Sequence, residues 1–280
     1  MNPLTHAHFV LELFKDQKLT QDEKDHLIVG SIIPDINISG LIQFQKTHSQ
    51  GLEFFNKVKS PLHKYFAFGM ITHGEEPQGL DFYTHNLDTG YIKNYHNSIL
   101  KIAKRYKHYI GKTDSMTVHH LIEFSVDNLV AEKNPKIVKQ VLDAFQNPKI
   151  PSAVTAFSNH LGFSERKNRK IISLLNNRFL LDYFHNFSSP ETTSQNWLNL
   201  TFYRNLKRSR DLPLREKIKK LTLFSFYNLK RRISDTNITR LFKEINNELR
   251  DNIFSFLAKT EKKMNKIKNE LIKEINSKKI

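Results

Sequence analysis

Apolar residues recur at intervals of three and four along nearly every stretch of this chain, and no segment sustains the alternation of a strand. The pattern predicts an all-α fold. Thr5 to Phe14 reads as an amphipathic helix. Thr20-Gln-Asp-Glu23 fits a capping box, in which the threonine hydroxyl and glutamate carboxylate take up N–H groups left free at a helix start. The helix so begun should end at Ile32 or Ile33, because Pro34 steers the residue before it out of helical backbone. Pro61 suits the first turn of another helix, which carries Leu62, Tyr65, Phe66 and Met70 toward His73. Further helices are predicted over 114–132, 135–147, 164–185 and 217–232, and over roughly 236–278. In the last, Met264, Ile267, Leu271 and Ile275 form a stripe suited to packing on the body, or to a partner or membrane surface.

With only nine glycines and nine prolines in 280 residues, tight turns are few, while 21 phenylalanines supply a core. Absence of cysteine excludes disulfides and thiolate metal sites. The N-terminus lacks the basic start and apolar run of a signal peptide, and the longest apolar candidate, LIVGSIIPDINISGLI, carries Asp35 in its middle. The expectation is a cytoplasmic chain with no transmembrane segment.

Charge divides unevenly. Residues 1–150 hold 17 Lys+Arg against 16 Asp+Glu, and residues 151–280 hold 27 against 12. The NPKIPS stretch around 148–152 marks the boundary of two expected regions, 1–150 and a basic helical 151–280. Such asymmetry points to an anionic partner, a membrane surface met peripherally or a nucleic acid, or else to a solvated basic face.

Thirteen histidines exceed what packing requires, and they fall in a pattern. THAH at 5–8, PD at 34–35, TH at 47–48, ITH at 71–73, LDFYTH at 80–85 and HHLIE at 119–123 combine imidazole with carboxylate. Those two donor types suit zinc, among other first-row metals. His119, Glu123 and Asp127 lie at i, i+4 and i+8, so a helix sets them along one face, where His119 and Glu123 can chelate one ion. Asp127 would orient a ligand or be solvated. His73 ends an apolar helix and should face the interior, with Asp81 and His85 a short loop away. Asp35 stands at a helix exit, and His48 is expected on the first turn of the helix that follows.

These residues, in this order, resemble the zinc-dependent phospholipase C family, whose fold is shared with the S1/P1 nucleases, over roughly residues 3–132. His6 in THAHFVLEL matches the family's N-terminal histidine, with His8 as the alternative. Asp35 in GSIIPD, His48, His73 in GMITH, and His119 and Glu123 in HHLIE match its further ligands. Proline stands at position 77, where the family has a bridging aspartate, so Asp81 is the substitute, with Glu76 as the alternative, and His85 takes the later histidine's place.

The resemblance implies a multi-helix phospholipase C/P1 nuclease-like domain over 1–150 with a C-terminal helical extension. It implies two or three Zn2+ ions held by His6, Asp35, His48, His73, Asp81, His85, His119 and Glu123. It also implies hydrolysis of a phosphate ester, with Asp35 accepting a proton from the attacking water. No nucleophilic triad, phosphate-binding glycine loop or dinucleotide fingerprint competes. Phospholipid head groups are the expected substrate, with single-stranded nucleic acid, or a metal-stabilised scaffold without turnover, as alternatives.

Overall fold

The Thr20 capping box forms: the Thr20 hydroxyl accepts from Glu23 N and the Glu23 carboxylate accepts from Thr20 N. This computed structural model describes residues 3–35, 44–86, 89–110, 113–175, 187, 189–198 and 214–277, with side chains in the last segment from 236 onward. Among the described residues the chain is all-α, with no strand.

The elements are α1 (Pro3–Leu13), α2 (Gln21–Ile32), α3 (Phe44–His48), α4 (Gly51–Lys57), α5 (Pro61–His73), α6 (Leu80–His85), α7 (Tyr91–Arg105) and α8 (Lys107–Ile110). They continue with α9 (Ser115–Lys133), α10 (Lys136–Gln146), α11 (Ile150–His160), α12 (Glu165–Leu175) and α13 (Leu214–Ser277), and residues 190–198 are also helical. Helix α2 ends at Ile32, and a 3₁₀ turn over 33–35 carries the chain through Pro34. Pro61 sits in the first turn of α5, where its missing N–H costs nothing. Of the helix expected at 164–185, α12 accounts for the first part, and 176–185 lies outside the described residues. The segments 217–232 and 236–277, expected as two helices, run as one 64-residue helix. Around 148–152 the chain turns from α10 directly into α11, which packs on α2, α5 and α12.

The buried face of α13 includes Ile245, Leu249, Ile253, Leu257, Met264, Leu271 and Ile275. It lies against α1, α7 and α9, so the apolar stripe read in the sequence is spent on the body of the protein. Polar ties fix its register. Asn246 Nδ2 donates to Asn128 Oδ1 in α9 at 2.5 Å, and Arg250 forks onto both oxygens of Glu132 at 2.8 and 3.0 Å. Two buried lysines reach across as well. Lys64 of α5, lying over the Phe55 ring, meets Glu274 at 2.5 Å, and Lys268 donates to the Leu13 carbonyl that ends α1.

Helices α2 and α5 cross at two glycines. A Cβ at Gly30 would stand 2.0 Å from the Phe66 carbonyl oxygen, and one at Gly69 would stand 2.3 Å from the Leu27 oxygen and 2.6 Å from Ser31 N. The contact is backbone on backbone, closer than any side chain allows. Alanine at Gly69 would gain ~1 kcal/mol of helix propensity. It would also force the helices apart, at the upper end of the ~1–3 kcal/mol that overpacking costs. Gly69→Ala is therefore expected to lower stability by about 2 kcal/mol on balance in urea denaturation, and an unchanged or raised midpoint would refute the crossing.

Candidate metal centre

Each candidate ligand is delivered by a backbone feature. Asp127, buried on α9, takes Thr5 N at 2.8 Å, Thr5 Oγ1 at 2.5 Å and Leu4 N at 3.1 Å, so it caps the start of α1 and fixes His6 one residue on. Burial lifts its carboxyl to about 7 against the hydrogen bonds from Thr5 and Leu4. Asp127 is thus not solvated. It acts on the cluster through helix α1.

The close crossing at Gly30 and Gly69 lays the end of α5 beside Ser31, whose carbonyl accepts from His73 Nδ1 at 2.7 Å. Asp35 closes the 3₁₀ turn beyond α2. His48 is the last residue of α3 and not, as expected, in the first turn of a following helix, because α3 ends and α4 begins only at Gly51. Its carbonyl accepts from Glu75 N at 2.9 Å and lies 2.4 Å from where a Cβ on Gly74 would be. Gly74 therefore lets the end of α3 meet the end of α5. The loop over 74–79 then returns Asp81 and His85 on α6, while Glu76 points outward and is exposed. His8 also stays out of the cluster, edge-on to Phe254.

All eight predicted ligands converge. Their donor atoms form three groups, each within 4.8 Å: His6, Asp35 and His73; His48, His73 and Asp81; His85, His119 and Glu123. Asp81 sits at the centre. Its Oδ1 lies 3.3 Å from His6 Nε2, and its Oδ2 lies 3.4 Å from His48 Nε2, 3.3 Å from His73 Nε2 and 3.8 Å from His85 Nδ1. Glu123 Oε1 faces His119 Nε2 at 3.2 Å and His85 Nε2 at 3.5 Å. His6 stacks on His73 at 3.7 Å between ring centroids. The inner residues are fully enclosed, whereas Asp35, His85 and His119 keep 21%, 24% and 28% of their side-chain exposure. Those three mark the open side.

The chemistry of the donor set fits a cation. Burial holds His73 below its ordinary pKa, so the ring is neutral, and its one proton is committed to the Ser31 carbonyl. Its Nε2 lone pair therefore points at Asp81 Oδ2 and at His48 Nε2, 3.1 Å away. A cation placed among Asp81, His48 and His73 would be met by one donor atom from each, all within 4.8 Å of one another. Enclosure, reinforced by the like charge of Asp81, pushes Asp35 well above the usual carboxylate range. Burial also opposes charge on Glu123, yet hydrogen bonds with His119, His120 and His85 hold it well below that range.

No known family profile, curated protein or solved structure matches the chain. Two parts of the centre were not read from the sequence. His120 Nδ1 lies 3.3 Å from Glu123 Oε2, its i,i+3 spacing being the available signal. The Ser31 carbonyl is a backbone group with no side-chain signature.

His73 is a base whose folded pKa is lowered, so its stabilising contribution is present above about 6.5 and lost as pH falls, when the unfolded chain takes up the proton. Urea denaturation in chelator should show wild type losing stability relative to His73→Asn between pH 7.5 and 5.5, and parallel pH profiles would count against a buried neutral ring. Asp127→Ala strands the first amides of α1 in the interior and is expected to cost about 1–3 kcal/mol. A thermal midpoint equal to wild type would show that α1 is held otherwise.

Proposed function

We propose that the chain is a zinc-dependent hydrolase of phosphate esters, related to the phospholipase C family, which cleaves phospholipid head groups. One observation carries the reading: eight imidazole and carboxylate side chains, from six separate stretches of sequence, converge as three ligand groups, two of which share His73. The order and spacing of those residues support the family relation.

In this reading His6, Asp35, His48, His73, Asp81, His85, His119 and Glu123 hold two or three zinc ions, with Asp81 offering one oxygen to His6's side and the other to that of His48 and His73. Zinc held by these residues would lower the pKa of a bound water toward neutral and would offset charge on the phosphoryl oxygens. Asp35 stands at the open edge with 21% of its side chain exposed, placed to accept the proton of the attacking water as the family resemblance implies. The buried His6–His73 stack and the Ser31 carbonyl keep imidazole orientation fixed while substrate enters past His85 and His119.

No helix among the described residues is long and apolar enough to cross a membrane. Lys259, Lys262, Lys263, Lys266 and Lys273 on α13 are exposed, with spacing that aligns them on one face. They support a cytoplasmic enzyme that meets anionic membranes peripherally, each lysine near the surface contributing ~1 kcal/mol.

Protein purified without added metal should carry about two to three zinc ions per chain. It should also release phosphorylated head group from phospholipid vesicles, with Asp35→Asn slower by about 10²–10⁴-fold. Cleavage of single-stranded DNA in place of lipid would move the substrate to nucleic acid, and zinc without either activity would leave a scaffold. Fewer than about one tightly held ion per chain would sink the catalytic assignment.

A further inference from the structure

Glu123 is touched by three imidazoles, and they divide between its two oxygens. His119 Nε2 and His85 Nε2 face Oε1 at 3.2 and 3.5 Å, while His120 Nδ1 faces Oε2 alone at 3.3 Å. Helix geometry produces the division. His119 lies four residues before Glu123 and His120 three, so both flank the same carboxylate from adjacent positions on α9. An ionised carboxylate can only accept, so His120 presents Nδ1–H to Oε2. His120 belongs to none of the three ligand groups, although it is the neighbour in sequence of one ligand and in space of another.

We propose that His120 is a positioning residue that holds Glu123 in a one-oxygen presentation, with Oε1 turned toward His85 and His119 and Oε2 engaged. The inference rests on the metal-centre reading above. Glu123 is buried, with 9% of its side chain exposed, but rotation about its last χ angle would still exchange its oxygens or turn both toward an ion. With Oε2 tied to the preceding turn of its own helix, that rotation is resisted, and the third ligand group keeps its geometry before any ion arrives. The role belongs to the outer shell of a metal site, where loss of an orienting group typically weakens affinity 10–100-fold.

Cobalt(II) is the probe, because its visible spectrum reports ligand geometry independently of turnover. Wild type, His120→Ala and His120→Gln are stripped with chelator, checked for equal helicity and thermal midpoint, and titrated with cobalt(II). The alanine variant should lose about 10–100-fold in affinity for one ion, with a changed spectrum for that ion alone. Glutamine, whose amide N–H can reach Oε2, should restore most of both. Unchanged affinity in the alanine variant overturns the proposal. Equal weakening in both variants also overturns it, since that would make the imidazole itself a ligand. Wild type that takes up no cobalt marks failure of the metal-centre reading itself, a result separable from the other two.

Discussion

The backbone contact between α2 and α5 at Gly30 and Gly69 sets the position of everything at the centre. Two helices that approach within the reach of a missing Cβ cannot slide, because any shift drives a carbonyl into the opposite helix. That steric lock places the Ser31 carbonyl at the ring of His73, and it sends the chain past Pro34 to Asp35 on the same side. Gly74 repeats the device on a smaller scale, admitting the His48 carbonyl to the end of α5. Three of the eight candidate ligands are thus aimed by close backbone approaches that depend on the absence of side chains.

Concentrating ionisable groups in such a place has an energetic cost that packing alone does not offset. Burying a charged carboxylate without compensation costs several kcal/mol, and Asp35, Asp81, Glu123 and Asp127 share one enclosure. Each is handled differently. Asp127 spends its acceptors on the start of α1, Glu123 on three imidazoles, and Asp81 faces four. Asp35 and Asp127 both shift upward because burial outweighs their contacts, with the charge of Asp81 adding to the shift of Asp35. The brace of α13 resists the loosening that such repulsion invites, since Lys64 and Lys268 pin its far end to α5 and α1 from buried positions. Breaking either would leave a buried ammonium group without its oxygen acceptor.

What could be read from the sequence was whatever depended on local chemistry. The Thr20 box, Pro61 and the exit before Pro34 are short-range events, and the structure places each where its residues require. The convergence of the candidate ligands was legible because histidine and carboxylate are conspicuous in apolar surroundings such as GMITH and GSIIPD. Asp81 could not be separated from Glu76 by spacing, because a loop decides which of them turns inward. His48 was assigned to the wrong turn for a related reason: the end of α3 is set by its meeting with Gly74, not by its own neighbours. The role of Asp127 required knowing that α1 begins against α9, a contact across more than a hundred residues. The continuity of α13 was hidden by a charged stretch that reads equally well as a helix or as a connection.

This division explains how the centre can be built from scattered residues without a compact motif. A local motif fixes side-chain geometry by the pitch of one helix, as HHLIE does for the candidate ligands His119 and Glu123 and for His120 beside them. The remaining ligands share no pitch, so their relative positions must come from tertiary contacts stiff enough to act in its place. Backbone carbonyls at Ser31 and His48 provide that stiffness, since they move only if a helix moves, whereas side-chain orienters would add rotamers of their own. The arrangement also separates folding from ion capture. The crossing at Gly30 and Gly69, the cap on α1 and the apolar face of α13 use no ligand atom, so the helices can assemble first. Donor atoms of His48, His73 and Asp81 are then left within 4.8 Å of one another, where a cation could be held.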